Sequence, residues 1–139
     1  MEALAIGREV RQRFLTTFVG QNMECDSACV FILVAGVDRY AKAGKVGLHR
    51  PAFDPGYFAG LSPTAARDRY NSMVETLRHY YVEEMGGSSE AFRQIMVTPS
   101  ISVRYLLPGE IALLGISGED PATAEYDEAQ MIQRYGRER

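Results

Sequence analysis

The sequence contains no tryptophan, two cysteines and two histidines, and neither sign of charge dominates it. Its 15 basic and 18 acidic residues give a formal net charge of −3, which excludes the strongly basic surface that nucleic-acid-binding proteins use. We therefore expect no nucleic-acid partner. Two cysteines and two histidines also leave few ways to assemble the four ligands of a structural zinc site, so we expect no metal and no cofactor.

Long apolar runs are also missing. The best candidate, residues 28–36, is far shorter than the roughly 20 residues that a membrane-spanning helix needs. The residues after Met1 lack the basic start and the apolar stretch of a signal peptide. We therefore expect no integral membrane segment, and we find no signal peptide pattern in this chain.

The length and composition are those of one soluble domain, with 139 residues of which 46% are apolar and 24% charged. Helical spacing and capping residues predict helices over residues 2–15, 27–36, 62–85, 90–96 and 108–114. β-branched and aromatic runs predict strands over residues 16–19, 39–41, 46–49 and 100–106. This alternation predicts an α/β domain with a partly parallel sheet and flanking helices, over residues 1–118, followed by a partly helical tail over residues 119–139.

Ser27 precedes an apolar run that ends at Gly36, which is the pattern of a helix with an N-cap and a C-cap. A serine in this place is far more often a helix cap than a nucleophile. The start of a helix also suits catalysis, because its free N–H groups stabilise a developing negative charge. Taken alone, Ser27 fits either role.

His49 ends a predicted strand and is followed by Arg50 and Pro51. The ends of parallel strands are where α/β domains build their sites. A histidine there also commonly bonds to a nearby backbone carbonyl, so His49 alone does not indicate catalysis. His79 lies in the middle of a predicted amphipathic helix and is interpreted as an ordinary residue of it. Residues 50–61 hold two prolines and three aromatic residues, which predicts a loop that packs over the domain.

Cys25 and Cys29 are separated by three residues, and the polar neighbours Glu24 and Asp26 predict a turn around Cys25. A thioredoxin-type motif has two intervening residues, so this spacing does not match it. The two cysteines are either free thiols or one local disulfide that stiffens the turn before the helix. The disulfide requires an oxidising compartment.

Several segments together are more specific than any one residue. Residues 25–29 read Cys-Asp-Ser-Ala-Cys and lead an apolar run that ends in Ala35 and Gly36. Residues 44–51 read Gly-Lys-Val-Gly-Leu-His-Arg-Pro, and residues 107–116 read Leu-Pro-Gly-Glu-Ile-Ala-Leu-Leu-Gly-Ile. This combination resembles the Clp protease proteolytic subunit family, in which a small-residue turn carries a serine, an apolar helix ends in Ala-Gly, and a strand ends in a histidine followed shortly by a proline.

The resemblance covers most of the predicted domain and implies a ClpP/crotonase-like fold with serine peptidase activity. Ser27 matches the nucleophile, His49 the general base, and the backbone N–H of Ala28 one oxyanion donor. The implied reaction is acyl transfer on a peptide or protein substrate. The Cys-x-Ser-Ala-Cys form looks like that of bacterial Clp-like proteins predicted to be periplasmic or envelope-associated, and the family implies homo-oligomers formed through the long helix.

The sequence departs from the family in two places. The family's third catalytic residue is an aspartate just after a Gly-Leu step, and here the nearest acids are Glu119 and Asp120, which become its candidates. The family also has a strand and a Gly-Gly turn before the first helix, so we expect the natural product to start upstream of Met1. Two alternatives stay open: a catalytically inactive Clp-like assembly or binding module, and an acyl-CoA-handling relative of the crotonases.

Overall fold

The computed structural model describes residues 2–41 and 44–136, without the side chains of Pro121 and Ala122. Its α-helices are α1 Glu2–Gln12, α2 Ala28–Leu33, α3 Pro63–Arg78, α4 Ser89–Val97, α5 Pro108–Leu113 and α6 Pro121–Tyr135. Its strands are β1 Thr17–Phe18, β2 Glu24–Asp26, β3 Asp38–Tyr40, β4 Lys45–Leu48, β5 Arg104–Tyr105 and β6 Gly118–Glu119. A 3-10 helix at Pro55–Phe58 and a π-helical segment at His79–Glu84 are also present. The predicted α/β class is confirmed.

The strands form two small sheets, where the sequence predicts one. In the first sheet β1 runs parallel to β3, and β6 runs antiparallel to β3. In the second sheet β2 runs parallel to β4, and β5 runs antiparallel to β4. Each strand holds only two to four residues, which is too short a pattern to assign strands to sheets from sequence.

The first half of the chain passes twice through the same order of elements. β1, β2 and α2 form the first unit, β3, β4 and α3 form the second, and each unit gives one strand to each sheet. Because β2 and β4 are parallel neighbours, their C-terminal ends lie at the same sheet edge, and Asp26 pairs with Gly47 there. Ser27 and His49 directly follow these two strands, so the topology brings them to one edge.

The turn predicted around Cys25 is wrong, because β2 occupies these residues. Glu24 is exposed, Cys25 is buried and Asp26 is half-buried, which is the alternation of a strand with one face on the core. Only one residue of this strand faces the core. The polar composition that suggested a turn therefore comes from the two residues on the outer face.

The long helix predicted over residues 62–85 begins at the N-cap Ser62, whose side chain accepts a hydrogen bond from a backbone N–H of the first turn at 3.2 Å. The helix then widens into the π-helical segment, where the N–H of Met85 donates to the carbonyl of Tyr80 at 3.0 Å, five residues back. Tyr80 is fully buried, so this end of the helix belongs to the core.

The helix α2 lies in the core between α1 and the π-helical segment. Val30 and Phe31 of α2 are buried, and the hydroxyl of Tyr80 donates to the Phe31 carbonyl at 2.7 Å. Gly7 of α1 leaves the space for that hydroxyl, because a Cβ at Gly7 would overlap it. These contacts fix α2, and with it the position of Ser27 at its N-terminus.

Candidate active site

Ser27 stands between β2 and α2 with φ 55° and ψ −121°. A positive φ costs a non-glycine residue about 1–3 kcal/mol and is found mainly where the surrounding structure enforces it. The Ser27 N–H donates to the carbonyl of Gly47 at 3.1 Å, which ties the turn to β4. The serine precedes α2 as predicted, but its side chain makes no capping hydrogen bond. A serine at positive φ between a strand and a helix is also the geometry of the nucleophile elbow of serine hydrolases.

A disulfide joins Cys25 to Cys29, with the two Cα atoms 5.3 Å apart. Cys25 is buried on β2 and Cys29 is exposed on the first turn of α2. The bond therefore closes a short loop around Ser27 and connects the strand before the turn to the helix after it.

His49 lies at the end of β4, and its Nδ1 is 2.9 Å from the backbone carbonyl oxygen of Arg50. A carbonyl only accepts hydrogen bonds, so Nδ1 carries the proton in this contact. In the neutral ring this leaves Nε2 unprotonated and able to accept a proton. The contact is the ordinary backbone bond that the sequence suggested, and it also fixes the tautomer that a general base needs.

Ser27 and His49 line one cavity of about 690 Å³, together with Ala28. The rest of its wall is mainly apolar and comes from α1, α2, α3 and the segment between β4 and α3. The apolar and aromatic residues are Ala3, Leu4, Ile6, Phe31, Ile32, Pro51, Ala52, Phe53, Tyr57, Met73 and Leu77, and the lining also includes the acidic residues Glu2 and Asp54. No hydrogen bond joins Ser27 to His49 in the described part of the chain. The cavity is a place where an apolar group can lie next to the serine and the histidine.

The loop at residues 50–61 forms one wall of this cavity. The rings of Phe53 and Tyr57 stack with their centroids 5.0 Å apart, and Phe53 also meets Tyr70 of α3 edge-on at 5.9 Å. The guanidinium of Arg69 donates to the Tyr57 carbonyl at 2.7 Å. These contacts hold the loop against α3 and present aromatic rings to the cavity.

Ala28 is the first residue of α2. Its N–H has no carbonyl four residues earlier within the helix, as is general for the first turn of a helix. Ala28 follows Ser27 in the chain and lines the same cavity. This is the position the sequence predicts for one oxyanion donor.

Asp120 lies in a buried ionic cluster away from this cavity. Its Oδ1 is 3.3 Å from Arg11 and 3.6 Å from Arg39, and its Oδ2 accepts from the N–H of Thr123 at the start of α6. Arg39 is 2% exposed, and burial lowers the pKa of its guanidinium. The carboxylate of Asp120 thus compensates the buried positive charge of Arg39. This pairing could not be predicted from a sequence pattern, because Arg39 and Asp120 are far apart in the chain.

Glu119 is exposed on β6 and pairs in register with Asp38. A hydrogen bond with Asp127 raises the pKa of its carboxyl group, and burial and nearby carboxylates add to that effect. Among the described residues that line the Ser27 cavity, neither Glu119 nor Asp120 appears. The structure therefore does not bring the two predicted acids together with His49.

A group of polar side chains on the second sheet, next to Ser27 in the chain, was not predicted from the sequence. The hydroxyl of Tyr105 on β5 donates a short hydrogen bond to Glu24 and lies 3.4 Å from Oδ2 of Asp26. The bond to Glu24 raises the pKa of Tyr105 to about 12. Burial raises the pKa of Asp26, and the hydrogen bond from Tyr105 lowers that of Glu24. The spacing of Glu24 and Asp26 by two residues was the signal, since it puts both on one face of a strand.

Within residues 2–41 and 44–136, no group of three or more histidine, cysteine, aspartate or glutamate side chains is placed to hold a metal ion. The same residues include no helix that is long and apolar enough to cross a membrane. No protein-family model matches this sequence, and no curated protein matches it either.

Proposed function

We propose that this chain is a serine hydrolase of the Clp peptidase type, in which Ser27 is the nucleophile and His49 the general base. One observation carries the proposal. Ser27 is held at positive φ between a strand and a helix, and His49 ends the parallel neighbour of that strand and opens into the same cavity. A helix cap does not need the positive φ, because caps ordinarily adopt the β region, as Ser62 and Ser88 do in this chain.

The reaction follows from these positions. Nε2 of His49 takes the proton of the Ser27 hydroxyl as Oγ attacks the carbonyl carbon of the substrate, and the carbonyl oxygen becomes the oxyanion. The N–H of Ala28 donates to that oxyanion. His49 then gives its proton to the leaving amine. Water next attacks the carbonyl of the acylated Ser27 while Nε2 of His49 takes a proton from it, and His49 passes that proton to Oγ of Ser27 as the acid product leaves.

The cavity supports a substrate with an apolar side chain next to the bond that breaks. Leu4, Phe31, Met73 and Leu77 come from three different helices and meet around the space next to Ser27. Burying an apolar side chain there contributes about 1.5–3 kcal/mol to binding. We therefore propose a peptide or protein substrate that places such a side chain in this cavity.

The fold lineage and the compartment belong to the same proposal. The serine turn, the apolar helix α2 and the histidine at the end of β4 support a ClpP/crotonase-like fold. The Cys25–Cys29 disulfide supports an oxidising compartment such as the periplasm, where disulfides persist.

A second candidate function is a catalytically inactive module of the same lineage. It is favoured by the absence of a hydrogen bond between Ser27 and His49 in the described residues. In such a module the cavity would bind a peptide without cleaving it.

Labelling with a fluorophosphonate separates the two functions, because only an activated serine reacts with it at a useful rate. The hydrolase is expected to be labelled, and the label is expected to disappear in Ser27→Ala and to fall in His49→Gln. Ser88→Ala is the matched control, since Ser88 also precedes a helix but caps it with its side chain, and its loss costs about 1 kcal/mol of stability. An unlabelled wild-type protein, or equal labelling of Ser27→Ala, contradicts the hydrolase and favours the module.

A further inference from the structure

The face of the second sheet next to Ser27 carries a carboxylate that the proposed reaction has not used. Asp26 is the last residue of β2 and immediately precedes Ser27. We infer that Asp26 is the positioning residue of this site, whose ionised carboxylate stabilises the protonated form of His49 by its charge. The inference rests on the proposed function, and it gives the third role to Asp26 instead of Glu119 or Asp120.

The strand register places Asp26 and His49 on one face. Asp26 pairs with Gly47 of β4, and Gly47 pairs with Tyr105 of β5, so these three residues form one row across the sheet. His49 is two residues after Gly47, and alternation along the strand puts it on the same side. Residues that are diagonal across two paired strands lie about 7–8 Å apart. At this separation the charges of a carboxylate and an imidazolium interact, because the Debye length at physiological ionic strength is about 8 Å.

Gly47 provides the space that the carboxylate of Asp26 occupies. A Cβ at this position would overlap Oδ1 of Asp26, which shows that the carboxylate lies over β4 and not out in solvent. Oδ1 is buried and has no hydrogen-bond partner among the described residues, while Oδ2 faces the Tyr105 hydroxyl at 3.4 Å. A buried carboxylate oxygen without a donor is rare, and its negative charge is favoured when a positive charge forms nearby.

The charges around Asp26 are consistent with this role. Burial, together with a hydrogen bond and the negative charge of Glu24, raises the pKa of Asp26, whereas the charge of His49 and the Tyr105 hydroxyl lower it. The positive charge of Lys45 lowers the pKa of Glu24, at the other end of β2. The positive charge of His49 is thus one of the two influences that favour the ionised form of Asp26.

The proton balance needs no other group. The Ser27 hydroxyl proton moves to Nε2 of His49, the ring becomes a cation, and the ionised Asp26 offsets that charge without taking a proton. Asp26 is not among the described residues that line the cavity, so its carboxylate does not occupy the space proposed for the substrate.

The test compares the labelling rate of Ser27 by a fluorophosphonate at pH 8 in wild type, Asp26→Asn and Glu24→Gln. Glu24 is the matched control because it lies on the same strand face as Asp26 and also interacts with the Tyr105 hydroxyl. It pairs with Lys45, two residues before Gly47, and is therefore further from His49. Asp26→Asn is expected to lower the rate by about tenfold or more. Glu24→Gln is expected to stay within about twofold of wild type.

The melting temperature separates positioning from a purely structural role. The raised pKa of Asp26 means that folding disfavours its ionised form, so Asp26→Asn is expected to melt at or above the wild-type temperature at pH 8. Slower labelling with undiminished stability supports the inference. A wild-type rate in Asp26→Asn, or equal loss of labelling in Glu24→Gln, overturns it.

A second measurement decides the contact even if Ser27 does not react. The side-chain carboxyl carbon of Asp26 is titrated by NMR in wild type and in His49→Gln, with His79→Gln as the control. Removing His49 is expected to raise the pKa of Asp26 further, while removing His79 leaves it unchanged. An unchanged Asp26 titration in His49→Gln overturns the inference. If the titration of Asp26 depends on His49 but the protein is not labelled, the interaction between Asp26 and His49 stands and only the proposed hydrolase function is contradicted.

Discussion

The backbone N–H of Ser27 donates to the carbonyl of Gly47 at 3.1 Å, so the turn that carries the serine is bonded to the strand that carries His49. The distance between the two catalytic candidates is therefore set by one sheet and does not depend on how separate loops pack. Gly47 also leaves space for the carboxylate of Asp26, because a Cβ at this position would overlap Oδ1 of Asp26. Gly47 thus bonds to the turn of Ser27, leaves space for the carboxylate of Asp26, and lies on the strand that leads to His49.

Gly47→Ala is expected to destabilise the protein by about 1–3 kcal/mol, because the new methyl group overlaps Asp26 and Val103 and the sheet must shift to accept it. Labelling of Ser27 should fall as well, since Asp26 is displaced. Urea unfolding measures the first effect. Gly109→Ala is the control, because a Cβ there meets no atom within 4 Å, and it should be neutral or slightly stabilising. Equal stability of the Gly47 variant would refute the close packing described here.

Reduction of the Cys25–Cys29 disulfide is expected to lower both stability and labelling. The bond closes a loop of about five residues, for which the chain-entropy relation gives about 2 kcal/mol. The reduced turn is also free to leave the positive φ at Ser27, so fewer molecules present the nucleophile. Cys25→Ser/Cys29→Ser should match the reduced wild type in urea unfolding and in labelling rate. If labelling is the same with and without reductant, the disulfide does not hold the turn.

Asp120→Asn is expected to cost about 3 kcal/mol of unfolding free energy, because it leaves the buried Arg39 without its carboxylate. At a temperature where the variant is still folded, it should label at the wild-type rate, since Asp120 is remote from the cavity. Glu119→Gln should change neither property by much, since Glu119 is exposed. If folded Asp120→Asn protein is not labelled, Asp120 is needed for the reactivity of Ser27 and is again a candidate for the third catalytic residue.

The pH dependence of labelling is expected to respond to Glu24. Glu24 helps to raise the pKa of Asp26. In wild type, Asp26 is therefore protonated at a higher pH than an ordinary aspartate. Once it is protonated, its carboxyl group no longer stabilises the charged form of His49. Glu24→Gln removes that contribution and lowers the pKa of Asp26. The acid side of the pH–rate profile should therefore move to lower pH in this variant. A shift toward higher pH would contradict the assigned direction.

The sequence was sufficient to predict the helices that have clear caps and the α/β class. Ser62 and Ser88 mark real helix starts, because their side chains bond the first turn as the pattern implies. Ser27 looks the same in sequence but uses a different backbone conformation. Nothing local distinguishes the three serines, since the positive φ at Ser27 is imposed by the adjoining strand and by the disulfide around it.

The acid of the site could not be found from sequence for a related reason. Asp120 was a candidate because of its distance along the chain from Gly115, and that distance carries no information about the buried Arg39. Asp26 was interpreted as part of a polar turn. Its role depends on a three-residue strand and on a register with β4 that only the folded sheet defines.

The central claim is that Ser27 is an activated nucleophile, and peptide mapping by mass spectrometry after fluorophosphonate treatment of the oxidised protein tests it most directly. One phosphonyl adduct is expected, located on Ser27, absent from Ser27→Ala and strongly reduced in His49→Gln. An unmodified Ser27 peptide in the wild-type protein, or an adduct spread over the other serines at equal rates, would contradict it.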